Sequence, residues 1–162
     1  AITTLPQGHI DEETTANIGL INGGEGINIV PPSCTIRGEI RSLNHEKALA
    51  MATQYQNAFQ NSAEKYGATL DWTQQIDIQA YETATSESII SRYVAACGLC
   101  EVEPKIIKTF GGSDNNVFSQ HGIKGLVIAN SMNNVHSCKE YANLYEMQKV
   151  IEMLRVLVTE IE

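Results

Sequence analysis

The sequence predicts two structural classes in succession, a two-layer α+β unit followed by part of a parallel α/β domain. Three observations predict them. Alternating apolar and polar residues at 17–24, 34–42 and 68–81 surround one long helical pattern, the layout of a sheet covered by a helix. From residue 85 onward, short apolar runs at 105–110 and 124–130 alternate with helical segments, as in a parallel α/β sheet. Between the two patterns lies "TATSES" (83–88), a polar stretch suited to a linker or a helix start. The boundary is therefore placed near residue 84, dividing the chain into 1–84 and 85–162.

Taken in order, "NIGLINGG" (17–24) reads as a short strand running into a glycine turn. "INIVPPS" (27–33) carries a proline pair that cannot donate to a ladder, so an extended edge or a loop is expected. "CTIRGEIRS" (34–42) alternates cleanly, with Cys34, Ile36, Gly38 and Ile40 on one face and Thr35, Arg37, Glu39 and Arg41 on the other. Asn44 is placed to cap a helix whose apolar positions Ala48, Leu49, Ala52, Tyr55, Phe59, Ala63 and Tyr66 recur at helical spacing, and Gly67 to end it. "ATLDWTQQIDIQAY" (68–81) alternates again and predicts another strand. The second pattern predicts helices over about 86–98, 114–121 and 142–161, with strands at 105–110 and 124–130 between them.

Composition narrows the function. With 162 residues, 43% of them hydrophobic and 19% charged, the chain is long enough to bury a core. A net charge of -8, with scattered Lys and Arg, excludes nucleic acid as a partner, because phosphate contacts need clustered positive charge. No run reaches the roughly 18 apolar residues of a membrane span, and the first residues lack a signal-peptide layout. Four cysteines without a secretory signal are expected to be reduced, as in the cytoplasm. A start at Ala1 without Met is expected for an excised piece of a longer chain, or for one whose Met before Ala is removed.

Four places carry candidate chemistry. His136, in the loop after 124–130, lies where ligands gather in open α/β sheets, although a lone His before a helix is more often a cap than a metal ligand. "FGGSDNNVF" (110–118) opens a helix whose N–H groups could bind a carboxylate or an oxyanion, or is a plain turn capped by Ser113 or Asp114. Both loops would emerge on one edge of one sheet. "GHID" (8–11) has His-x-Asp spacing but no apolar strand ahead of it, so a solvated turn is expected. "CGLC" (97–100) closes a helix rather than opening one, which favours packed or surface thiols over a redox pair. Asn28 and Arg41 complete the polar candidates; an arginine fork can grip a carboxylate in two places, or simply face solvent.

The ordered set "GHIDEETTANIGLINGGEGINIVPPSCTIRGEIRSLNHEKA", "GGSDNNVFSQHGIKGLVIAN" and "NNVHSCKEYANLYEM" resembles the aminoacylase/carboxypeptidase/tripeptidase family of dizinc metallopeptidases, nearest its peptidase T-like branch. The resemblance implies a C-terminal fragment: 1–84 as part of a lid domain that often makes a homodimer, and 85–162 as the last portion of the catalytic domain. It implies that His136 is the family's last zinc ligand, that Gly112 and Ser113 bind the substrate backbone or carboxylate, and that Asn28 and Arg41 reach the substrate from the lid. The enzyme implied is cytoplasmic, carries two zinc ions and hydrolyses short peptides by zinc-activated water.

The departures are as informative. The first His-x-Asp ligand pair, the bridging Asp, the Glu-Glu pair with the general base, the next carboxylate ligand and the lid His have no match, so no catalytic residue is assigned. The 162 residues alone are expected to be inactive, since one ligand cannot assemble a hydrolytic metal centre. Two other readings stand beside this one: a non-catalytic dimerisation or binding module, and a small thiol or single-zinc protein built on Cys97, Cys100, Cys138 and His136.

Overall fold

A computed structural model describes residues 1–159. It divides into two compact units, Ala1–Ala80 and Tyr81–Glu162, each with its own core.

The first unit is a three-stranded antiparallel sheet, order β1-β2-β3, packed against one helix. β1 is Gly8–Asp11, β2 is Thr14–Gly23 and β3 is Cys34–Ser42. β2 pairs along its whole length with β3, from Thr14 opposite Ser42 to Gly23 opposite Cys34, with one irregularity between Ile18 and Leu20. Near that irregularity the strands approach so closely that a Cβ on Gly38 would sit 2.5 Å from the Asn17 carbonyl oxygen, which explains a glycine in mid-strand. Ile36 and Ile40 are the half-buried members of the face predicted to be apolar. "INIVPPS" forms the loop between β2 and β3.

Helix α1 (His45–Lys65) starts and stops where its sequence signals stand. Asn44 Oδ1 accepts from the Lys47 N–H at 3.2 Å, which satisfies one of the first-turn donors that no intrahelical carbonyl can reach. At the other end Gly67 takes a left-handed φ of 69°. The N–H of Ala68 reaches back to the Ala63 carbonyl at 2.9 Å and that of Gly67 to the Glu64 carbonyl at 3.2 Å, a pairing that a glycine at this position makes possible. The helix buries Ala52 and Tyr55. Tyr55 joins Leu5 and Ala16 at the centre of a cluster that also takes in Ile10, Ile18, Ile40, Phe59 and Trp72, and its hydroxyl donates to the Pro6 carbonyl.

The segment 68–81 corrects one expectation: its alternation is real, but it enters no ladder among the described residues. Trp72 supplies the reason it stays in place, packing on Phe59 with ring centroids 6.3 Å apart. Ile76 and Ile78 are half or more exposed. Alternation specifies which side chains share a face; it does not provide the neighbouring strand that a ladder requires.

The second unit is built on two helices, α2 (Ser88–Leu99) and α4 (Leu144–Thr159), with the short α3 (Asn115–Gln120) between them. Residues 160 and 161, expected at the end of the last helix, lie outside the described residues. Ala96, Cys97, Met153 and Val156 form the buried contact between α2 and α4, and Ile128 packs on it from the 124–130 segment. α4 is capped by Asn143, whose Oδ1 accepts from the N–H groups of Tyr145 at 3.0 Å and Glu146 at 3.3 Å. The runs 105–110 and 124–130, expected as parallel strands, make no ladder among the described residues. The only strands described here are β4 (Met132–Asn133) and β5 (Tyr141–Ala142), a two-residue pairing that the sequence did not announce.

Candidate functional site

The β4–β5 pairing closes the loop that carries His136. This loop concentrates unusual backbone: of the four non-glycine residues with positive φ among those described, three are Ser131, Asn134 and His136, the last at 62°. Left-handed backbone costs a non-glycine residue on the order of 1 kcal/mol, so it persists only where neighbouring bonds enforce it. Those bonds are present. Ser137 Oγ donates to the Asn134 carbonyl at 2.7 Å, the Lys139 N–H donates to Ser137 Oγ at 3.1 Å, and Asn134 Nδ2 donates to the Lys139 carbonyl at 3.4 Å. The His136 N–H donates to Glu140 Oε2 at 3.0 Å. His136 itself is exposed.

The Gly-Gly-Ser-Asp turn is held mostly by its own groups. The Gly111 N–H donates to Thr109 Oγ1 at 3.1 Å. The Ser113 N–H donates to Asn116 Oδ1 at 2.9 Å and Ser113 Oγ accepts from the Asn115 N–H at 3.3 Å. Ser113 thus acts as the cap considered from sequence, and the Asp114 side chain makes no capping bond. Asn116, buried to 8% exposure, is the residue that sequence reading overlooked. A signal existed, an amide three residues beyond Ser113, the spacing at which a side chain can return to the turn's backbone. Among the described residues the N–H groups of Gly112 and Asp114 have no acceptor within the chain.

Asn28 stands exposed in the β2–β3 loop, in a turn closed by the Ile29 N–H on the Gly26 carbonyl at 3.3 Å. Arg41, on the solvent face of β3, already grips a carboxylate in two places: its Nε donates to Glu39 Oε1 at 2.9 Å and its Nη2 to Glu39 Oε2 at 3.0 Å. Both partners are about half exposed, so water screens the pair and it contributes little to stability. Asn28 and Arg41 belong to the first unit, and Gly112, Ser113 and His136 to the second.

"GHID" is a strand, not the solvated turn expected of it: residues 8–11 are β1, paired with β2. His9 is exposed, and Asp11 is committed to Lys47, whose ammonium lies 2.8 Å from both Asp11 Oδ2 and Glu13 Oε1. The Lys47 bond, followed by the Glu13 N–H, lowers the Asp11 pKa, and the two carboxylates raise that of Lys47.

As to metal, the imidazole of His136 has the donor chemistry of one zinc ligand, and zinc takes three or four. No group of three or more His, Cys, Asp or Glu side chains able to hold an ion occurs among the described residues. The described residues therefore bring together no set of side chains for a zinc centre. Of the cysteines considered with His136, Cys97 is wholly buried between α2 and α4, whereas Cys138 is exposed in the His136 loop.

Comparison with known proteins places these features. Residues 1–67 match the peptidase dimerisation domain. Over 160 residues the chain is 31% identical to the uncharacterized protein YqjE of Bacillus subtilis, covering 99% of this chain and 43% of that one. It superposes on aminopeptidase PepT from Bacillus cereus with a TM-score of 0.83 and 30% identity, over 97% of this chain and 42% of PepT. A tripeptidase from Staphylococcus aureus shares the fold, with a TM-score of 0.86 at 21% identity, over 98% and 44% of the two chains. The chain thus spans less than half the length of the relatives it matches. The resemblance to peptidase T-like aminopeptidases, drawn from three motifs, holds along nearly the whole chain.

Proposed function

We propose that this relative of the peptidase T-like aminopeptidases forms the lid and the closing part of the catalytic domain of a dizinc peptidase that hydrolyses short peptides. The observation that carries the reading is the likeness to aminopeptidase PepT over 97% of the chain. Residues 1–84 are the lid, through which two copies associate, in keeping with the dimerisation-domain match at 1–67. Residues 85–162 bring Gly112, Ser113 and His136 to the catalytic side.

The roles follow from the chemistry. His136 contributes one imidazole to a zinc whose other ligands lie outside these residues. Zinc in such a site supplies Lewis acidity toward a peptide carbonyl. Gly112, with its unengaged N–H, and Ser113 hold an oxygen of the substrate backbone or its carboxylate. Asn28 and Arg41 fix the substrate's polar ends, and Arg41 does so by exchanging Glu39 for the substrate carboxylate. The setting is the cytoplasm, in keeping with reduced thiols; among the described residues no helix is long and apolar enough to cross a membrane.

The second reading, a dimerisation module without chemistry, is favoured by the absence of a metal-binding group among the described residues. One pair of measurements separates the two. The 162-residue chain is expected to sediment as a dimer and to leave tripeptides intact with zinc or manganese added. Replacing the matching portion of Bacillus cereus PepT by this chain is expected to preserve tripeptide hydrolysis, and His136→Ala in that chimera to abolish it. A folded chimera whose zinc content and activity ignore His136→Ala would sink the peptidase reading, and hydrolysis by the chain alone would sink its predicted inactivity.

A further inference from the structure

Two observations in the His136 loop meet at one side chain. The backbone of His136 is left-handed, with φ at 62°, a conformation that glycine adopts freely and histidine does not. Its N–H is held by the Glu140 carboxylate at 3.0 Å, a charge-assisted bond and so stronger than a neutral one. Glu140 is itself placed by its own N–H on the Ser137 carbonyl at 3.1 Å. Neither ring nitrogen of His136 has a hydrogen-bond partner among the described residues. Metal-binding histidines are ordinarily oriented by a bond to the second ring nitrogen; here the backbone sets the direction in which the side chain leaves the loop. Moving φ of His136 to the right-handed or extended region would turn its Cα–Cβ bond away and carry the imidazole elsewhere.

We infer that Glu140 is the positioning residue for His136: its carboxylate grips the His136 N–H and holds the left-handed backbone that presents the imidazole to a divalent metal. The part concerning metal rests on the reading of His136 as a zinc ligand; the grip itself does not. The remaining loop bonds run between Asn134, Ser137 and Lys139 and leave the His136 amide to Glu140 alone.

The test uses the isotope-labelled 162-residue chain, metal-free, with Glu140→Ala and Glu140→Gln compared by nuclear magnetic resonance. Glu140→Ala is expected to speed exchange of the His136 amide by about 2- to 10-fold, the worth of one exposed hydrogen bond. It is also expected to move the His136 HN–Hα coupling and ring resonances while Tm stays unchanged. Glu140→Gln, whose amide oxygen still accepts, restores most of the wild-type values. Unchanged exchange and coupling in Glu140→Ala, or a Gln variant no better than Ala, overturns the inference. The ligand reading is tested apart from this, in the chimera with Bacillus cereus PepT: His136→Ala is expected to lower its zinc content, and a zinc content that ignores His136→Ala overturns the ligand role whatever Glu140 does.

Discussion

The two units close their backbones by different means. In the first, each of the three strands has a ladder neighbour and α1 is capped at both ends, so hydrogen bonding and the Tyr55 cluster support each other. In the second, cohesion comes from α2 packed on α4, while two apolar runs stay outside any ladder among the described residues. Ile107 and Val127, in those runs, are exposed to 66% and 50%. An apolar pattern can thus be laid down in sequence with its side chains half in water and without a ladder, and such a stretch is tied to its unit by single contacts, such as the packing of Ile128 and the Thr83 hydroxyl donating to the Gly125 carbonyl at 2.9 Å.

The largest expected consequence is in amide exchange. Amides of β2 and β3 are expected to exchange at least about 100-fold more slowly than those of 105–110 and 124–130, a ratio corresponding to roughly 3 kcal/mol in the free energy of local opening. Equal protection in the two sets would erase the contrast between the units.

Next comes the core of the first unit. Tyr55→Ala removes a ring that is 5% exposed and its bond to Pro6; the expected loss is about 3–5 kcal/mol, read from urea unfolding followed by circular dichroism. Loss of the 105–110 exchange pattern as well would show that the units do not unfold separately.

The smallest effect concerns pH. Asp11 is held below the ordinary carboxylate range by Lys47, so its contribution is present above the ordinary value of about 3.9 and is lost as pH falls through its folded pKa. Lys47 is raised, so its contribution is present below about 10.4 and is lost as pH rises through its folded pKa. Asp11→Asn should therefore flatten the acid limb of Tm against pH and leave the neutral plateau nearly level; an unaltered acid limb would mean that the Asp11–Lys47 pair between β1 and α1 contributes nothing.

Local chemistry explains what could be read in advance. The span of β3, the Asn44 cap and the Gly67 stop each depend on residues within one turn or one strand, and all three appear where the sequence placed them. Pairing does not depend on local residues, and that is why 68–81, 105–110 and 124–130 were legible as apolar patterns and not as unpaired ones. "GHID" failed in the opposite direction: its strand character is conferred by β2, not by its own residues. At the candidate site His136 and Ser113 could be picked out by type and spacing, whereas the roles of Glu140 and Asn116 come from bonds made back to the turn's own backbone. For Arg41 both a carboxylate grip and a solvent-facing side chain were open, and the structure shows a half-exposed arginine that grips Glu39, two residues away.

Trp72 is the only tryptophan in the sequence, and it lies in the first unit against Phe59 with its indole nitrogen buried and without a hydrogen-bond partner. The molecule therefore carries one built-in indole reporter, excited near the red edge of protein absorption, and its ring neighbour belongs to the first unit. An emission spectrum that moves would announce events around Phe59 and Trp72, whereas Tyr141, in the strand that closes the His136 loop, gives that loop an aromatic signal of its own.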